Sequence, residues 1–465
     1  MRKDNREKEL LKKTTIITIG KIATQMVNFF LLPLYTYILT TEDYGYFDLT
    51  NSYVQVLLPV VTLLVEQGAF RFLIDADNEN KKKEVISSSW WTVVGLLLLY
   101  ICISVCVNKS VRIQYKYWLI VMLVSASLSN WMLQVVRGLK NTVLYSVGSF
   151  VLASATIVIN VIGLVVLKCG MTVMFFASTV GNMICFIVLF FCMKIYKYIT
   201  IKHFNRYYSK QILKYSIPLI PNQLLFWILN FSDRLVVKHY LGVEINGILA
   251  VSHKFPAIYS TFFSIFLLAW QEIVSEHYYD SDRDEFLSSI YSKVLKIFCS
   301  LCILETACIP FVFNLMVSAK FDEAYYTIPI YMFAALLNTV VGLLGGIYIA
   351  NKQTKKIASA SFFAGIINIV VHIVLIKYMG LYAAAISTFI SYLCIVVYRM
   401  IEIKHCINIK YNVYFYLSFS LCFLMCSVIY YYGNIFTKLL SGIMSIFYCI
   451  LLNKDMLLLI KNRKK

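Results

Sequence analysis

Charged residues are scarce in this chain. Of its 465 residues, 14% are Asp, Glu, Lys or Arg, while 60% are hydrophobic and the mean hydropathy is +0.73. A soluble protein of this length needs charged side chains over its surface, so the scarcity excludes a soluble domain. The short alternating segments of a membrane β-barrel are missing too. Acidic residues are the rarer sign, 24 against 43 Lys and Arg, for a net charge of +19. No polar loop is long enough to fold as a catalytic domain, and no catalytic triad or metal-ligand constellation stands out. An enzyme is therefore not expected, and no cofactor is implied.

Cysteine is present, but a disulfide framework is not. Thirteen cysteines is an odd number, and most sit in apolar runs, Cys185, Cys192, Cys422 and Cys426 among them. The one C-x-x-C, Cys299 to Cys302, lacks flanking His or carboxylates and reads as packing. Asp75-x-Asp77 and Asp280-x-Asp282 have the form of a metal-holding pair in a sugar-nucleotide transferase. They lie in short acidic loops and read as solvated charge.

What the chain does have is a series of apolar runs of about 20 residues or more, each long enough to cross ~30 Å of hydrocarbon as a helix. Fourteen candidate spans follow, near 14–39, 48–70, 87–107, 117–136, 143–167, 172–193, 216–237, 247–275, 297–317, 328–350, 357–376, 382–398, 411–432 and 439–453, with twelve as the alternative. The expected fold is an all-α polytopic membrane protein. Its opening, "MRKDNREKELLKK", reads as a basic cytoplasmic tail before an uncleaved span. The following apolar run is too long for a signal peptide and has no small-residue cleavage site.

Charge orients the spans. With both termini inside, 32 of the 43 Lys and Arg fall on inner segments, eight on outer loops and three (Lys21, Arg234 and Lys254) within spans. This asymmetry fits the positive-inside rule and a multi-pass chain with both termini on the cytoplasmic side. It also assigns the excess positive charge to lipid headgroups rather than to nucleic acid.

The longest connection, Lys194–Tyr215, interleaves six basic residues with tyrosines, as a segment lying on the cytoplasmic leaflet would; docking of a partner protein is the alternative. It divides the chain into a tail at 1–13, an N-terminal lobe at 14–193, a linker at 194–215, a C-terminal lobe at 216–404 and a final helix pair with a basic tail at 405–465. A repeat supports the division. Leu39-x-x-Glu42-x-x-Gly45 recurs as Leu241-x-x-Glu244-x-x-Gly247, each in the turn between the first two spans of its half. Five of the seven prolines, Pro33, Pro59, Pro218, Pro221 and Pro256, also fall in those first two spans. Repeated halves with bent helices are a common transporter design.

Ionisable residues inside spans usually face a bundle interior or an aqueous cavity. Arg234 and Lys254 stand ten residues to either side of Glu244, hence at similar depth on the two arms of a hairpin. Two cations at one level call for an anion between them. Asp233 is one candidate, and a phosphate of the transported molecule is another. Lys21 lies deeper in the first span. These four residues are the expected binding group, in a hydrated cavity. Glu66, Glu272 and Glu305 are the candidates for ion coupling. His372, alone on an apolar helix, reads as structural.

Two stretches carry a resemblance. "LLPLYTYILTTEDYGYFDLTNSYVQVLLPVVTLLVEQGAFRF" (Leu31–Phe72) resembles the opening of bacterial polysaccharide flippases, translocases of O-antigen and capsule repeats in the multidrug/oligosaccharidyl-lipid/polysaccharide exporter superfamily. It shares the Pro-Leu-Tyr, the Leu-x-x-Glu-x-Tyr-Gly turn and an Arg, here Arg71, at the end of the second span. "IPLIPNQL…SDRLVVKHYLGVEINGILAVSHKFP" (Ile217–Pro256) is similar to the start of the family's second half. The resemblance implies two six-helix lobes around a central cavity, plus a C-terminal helix pair suited to a lipid tail. It also implies a substrate, undecaprenyl-diphosphate-linked oligosaccharide, turned from inner to outer leaflet by alternating access. Lys21, Arg234 and Lys254 would hold the diphosphate, and other polysaccharide-assembly proteins are candidate partners. Lys21 stands without the Arg-Asp pair of lipid II flippases, which disfavours a peptidoglycan substrate. Two rivals remain: a multidrug exporter of the same superfamily and a membrane polymerase or glycosyltransferase. The first would favour an acidic cavity, and a polymerase would need a large outer loop.

Overall fold

A computed structural model describes residues 29–107, 115–351 and 353–454, apart from the side chains at 222, 225–230, 268 and 354. Every regular element among the described residues is helical, and the chain divides into two compact units, Met1–Phe231 and Ser232–Lys465. The first holds α1 (Leu32–Ile38), α2 (Thr41–Val61), α3 (Val65–Ile74), α4 (Glu79–Val107), α5 (Lys116–Gly138), α6 (Thr142–Val161), α7 (Thr172–Cys192) and α8 (Arg206–Ser216). The boundary falls inside α9 (Ile220–Leu241). The second unit continues with α10 (Val243–Ser252), α11 (Lys254–His277), α12 (Arg283–Met316), α13 (Glu323–Ala350), α14 (Thr354–Met379), α15 (Tyr382–Glu402), α16 (Val413–Tyr432) and α17 (Ile435–Leu452).

Eleven of the described helices are long and apolar enough to cross a membrane, and twelve if the bent pair α2–α3 counts as one span. The expected first span, near 14–39, lies largely outside the described residues. The expected seventh span coincides with α9, whose Gln223, Asp233 and Arg234 dilute its apolar run.

The repeated turn begins a helix in both units. Thr40 and Asp43 cap α2 reciprocally: Asp43 N–H donates to Thr40 Oγ1 at 3.0 Å and Thr40 N–H to Asp43 Oδ2 at 3.4 Å. Its counterpart turns instead on Gly242, whose φ of +94° suits glycine. In both copies the glutamate, Glu42 or Glu244, is an exposed first-turn residue, where a negative charge favours the helix dipole. Gly45 and Gly247 are buried in both.

Proline placement shapes the second span of each half. Pro59 lies in α2, and three residues later the helix breaks. Leu63 and Leu64 take φ of +50° and +53°, and the axis turns by 57° into α3. Thr62 serves the break by donating to Leu58 O at 2.9 Å and accepting from Leu64 N–H at 3.3 Å. In the second half the corresponding span is divided at His253, just ahead of Pro256, into α10 and α11.

The units share an order of packing. In the first, α6 lies on α7, α5 on α7 and α3 on α5; in the second, α14 lies on α15, α13 on α15 and α11 on α13. Each unit is also fastened by a serine clasp. Ser88 of α4 donates to Asn205 O at 3.1 Å and accepts from Asn205 N–H at 2.9 Å. Ser288 of α12 faces Asn408 O at 3.4 Å and accepts from Lys410 N–H at 3.2 Å. In both, the chain leaving the last helix of the α5–α7 or α13–α15 group is tied back to the helix that precedes that group.

The C-terminal pair packs on α12. Asn453 Nδ2 donates to Ser300 Oγ at 2.8 Å. Tyr325 and Tyr430 stack at 4.2 Å and exchange hydrogen bonds with each other's carbonyls at 3.0 and 2.8 Å.

Candidate functional site

In the second unit α9, α13, α14 and α15 converge on a buried polar cluster. Asp233 is 2% exposed and His372 fully buried. A lone carboxylate there would pay a large desolvation cost, and its neighbours offset it. His372 Nδ1 lies 3.0 Å from Asp233 Oδ1, and Thr388 Oγ1 donates to Asp233 Oδ2 at 3.1 Å. Asn368, one turn before His372 on α14, donates through Nδ2 to Thr388 Oγ1 at 3.3 Å and faces Ser232 Oγ at 3.4 Å through Oδ1. His372 Nε2 has no hydrogen-bond partner among the described residues.

Chemically, the cluster holds a carboxylate and an imidazole side by side out of water. The neighbouring groups offer Asn368 Oδ1 and the Thr388 hydroxyl besides. Such a network is costly to break, because a buried partner left alone keeps its desolvation penalty.

Both cations are next in sequence to residues of this neighbourhood. Arg234 follows Asp233 and so lies about 100° further round α9. It is half-buried. The Tyr331 ring packs at 4.4 Å against His253, the residue before Lys254, which is also half-buried. Tyr331 thus meets the second arm of the hairpin on which Arg234 and Lys254 were expected to share a level. Lys21 lies outside the described residues.

The three glutamates differ. Glu66 is 4% exposed in the first turn of α3, beside Thr62 at the break. Glu305 is half-buried on α12, its Oε1 without a hydrogen-bond partner among the described residues. Glu272 is exposed on α11. The first carboxylates of the Asp-x-Asp pairs are engaged locally, Asp75 with Arg71 at 2.7 Å and Asp280 with His277 at 2.7 Å.

Sequence reasoning selected Asp233 but left His372 alone. The two are 139 residues apart, and only the fold joins them. One signal was available: Asn368 and His372 are four residues apart in an apolar helix, so both polar groups share a face.

Residues 10–275, more than half of the chain, match the family model described as polysaccharide biosynthesis protein. The chain belongs to that family. No curated protein matches it in sequence. Among solved structures it is similar to the lipid II flippase MurJ in an inward closed conformation, at 17% identity and a TM-score of 0.69, covering 96% of this chain and 100% of that one. It is similar too to a multidrug resistance MATE family transporter of the MOP superfamily, inward-facing, at 13% identity and a TM-score of 0.68, covering 84% and 98%. An outward-facing conformation of such a transporter gives 13% identity and a TM-score of 0.55, covering 85% and 96%. The chain is therefore a multi-span membrane protein of that family, with the fold these flippase and transporter structures share.

Proposed function

We propose that this protein is a flippase that turns undecaprenyl-diphosphate-linked oligosaccharide from the inner to the outer leaflet of the bacterial cytoplasmic membrane, by alternating access, for surface polysaccharide synthesis. The observation that carries this reading is the family match, joined to a likeness that takes in 96% of the chain with a lipid-substrate flippase and 84% with a drug transporter. A diphosphate and its sugars cannot cross hydrocarbon unaided, whereas a polyprenyl tail can stay in it. The protein has to supply a polar route with positive charge, and no bond need be made or broken.

In this reading Arg234 and Lys254, with Lys21, receive the diphosphate. Arg suits it because its guanidinium fork matches phosphate oxygens. Asp233, bonded to His372 and Thr388, is the anion next to Arg234 in this binding group. Glu66, buried at the helix break, is the leading candidate for ion coupling.

The experiment is deletion of the gene in its host. The reading requires lipid-linked oligosaccharide to accumulate in the inner leaflet while surface polysaccharide is lost. Normal linkage and export in the deletion strain would reject it.

A further inference from the structure

The connection from α7 to α9 has two unlike sides. One is fixed to the first unit. Ile195 and Ile212 are fully buried, Ser87 Oγ donates to Thr200 O at 2.6 Å, and Ser88 closes on Asn205. The other side is open. Lys194, Lys197, Lys202, Arg206, Lys210 and Lys214 are all exposed. So are large apolar or aromatic side chains: Ile201 is 76% exposed, Tyr207 63%, Tyr196 47% and Phe204 43%. Residues 194–219 contain no Asp or Glu. Acidic groups reach it from α4, where Glu79 pairs with Lys82 at 2.6 Å and accepts from Tyr198 OH at 3.0 Å, and Glu84 lies near Tyr208.

Three settings would treat this surface differently. Water disfavours so much exposed apolar side chain in one place. Hydrocarbon excludes six cations. A protein partner's interface would gather the apolar residues at its centre and keep charges to the rim. Here the two kinds alternate along the whole stretch. The headgroup layer of a bilayer accepts that alternation: phosphates pair with the cations, and the aromatic and aliphatic side chains reach the acyl boundary.

We propose that residues 194–217 form a docking surface for the headgroups of anionic phospholipids. Docking there bears on the broken span, because α8 is seated against α3. Gly68 approaches Ile212 so closely that a Cβ would come within 2.7 Å of Ile212 Cγ2, and Phe72 meets Tyr215 edge-on at 6.3 Å. A lipid-held α8 thus restrains the helix that follows the break and carries Glu66. This inference does not depend on the identity of the transported molecule.

The test uses the full-length protein extracted with an equal mixture of phosphatidylglycerol and phosphatidylcholine, with bound lipids counted by native mass spectrometry. Wild type is expected to retain phosphatidylglycerol preferentially by about fivefold or more. The set K194Q, K197Q, K202Q, R206Q, K210Q and K214Q should bring the ratio near parity. Arginine at the five lysine positions should keep it. Equal retention by wild type, or an unchanged ratio in a glutamine set that unfolds at the wild-type temperature, would overturn the proposal. A second measurement does not depend on that set folding. Benzoylphenylalanine in place of Tyr207 should crosslink in cells to phospholipid; crosslinks to protein alone would overturn it.

Discussion

Asp233 shows what a sequence can and cannot display at the scale of single residues. Its cost in an apolar span is legible from the chain, and so is the need for compensation. The compensating group is not, because His372 is remote in sequence and looks like an isolated polar residue. Their interdependence is measurable. Asp233→Ala should destabilise the protein by about 1–3 kcal/mol, since it leaves the His372 imidazole buried without its hydrogen-bond partner. Combined with His372→Ala, the loss should fall short of the sum of the single losses by about 0.5–3 kcal/mol. Thermal unfolding of the four purified forms reads this directly, and strict additivity would deny the pair. Gly346 makes a second case. A Cβ there would lie 2.8 Å from the Trp270 ring, which is fully buried and donates to Leu343 O at 2.8 Å. Gly346→Ala should cost about 1–3 kcal/mol through overpacking, by the same assay.

At the scale of elements, apolar run length located the spans well. Every expected span overlaps a described helix, the first only at its end through α1, because ~20 consecutive apolar residues leave few alternatives once backbone polar groups must be satisfied internally. Eleven or twelve of the described helices are long and apolar enough to cross a membrane. Prolines marked where helices bend. They did not reveal the form of the break after Pro59, where two consecutive leucines are left-handed. Leucine has no preference for that region and is held there by its surroundings, at about 1–2 kcal/mol per residue. Leu63 is the more accessible of the two. Leu63→Val, β-branched at positive φ, should therefore destabilise by at least about 1 kcal/mol more than Leu63→Gly. Equal unfolding temperatures would show that the strain is absent. The serine clasps were also silent in the sequence, since Ser88 and Ser288 resemble any other serine on a helix.

At the scale of the whole molecule, the repeat was legible from three matched positions in a turn, and the two units share a packing order and a clasp. Orientation rests on charge alone, and it makes a prediction. With both termini inside, Cys169, exposed between α6 and α7, faces outward. Position 202 faces inward. In a chain otherwise free of cysteine, an impermeant thiol reagent applied to intact cells should label Cys169 and spare K202C; the reverse pattern would invert the topology.

The central claim is that positive charge on the hairpin of α9 and α11 receives a phosphorylated lipid-linked sugar. It is tested most directly in vesicles holding the purified protein and a prenyl-diphosphate oligosaccharide, by following how fast the sugar becomes accessible to an impermeant reagent across the bilayer. Wild type should accelerate that movement, while Arg234→Gln and Lys254→Gln, inserted and folded normally, should each slow it tenfold or more, on the order of 1.4 kcal/mol or more in barrier. Unchanged rates in both variants, or no acceleration by wild type, would contradict the account.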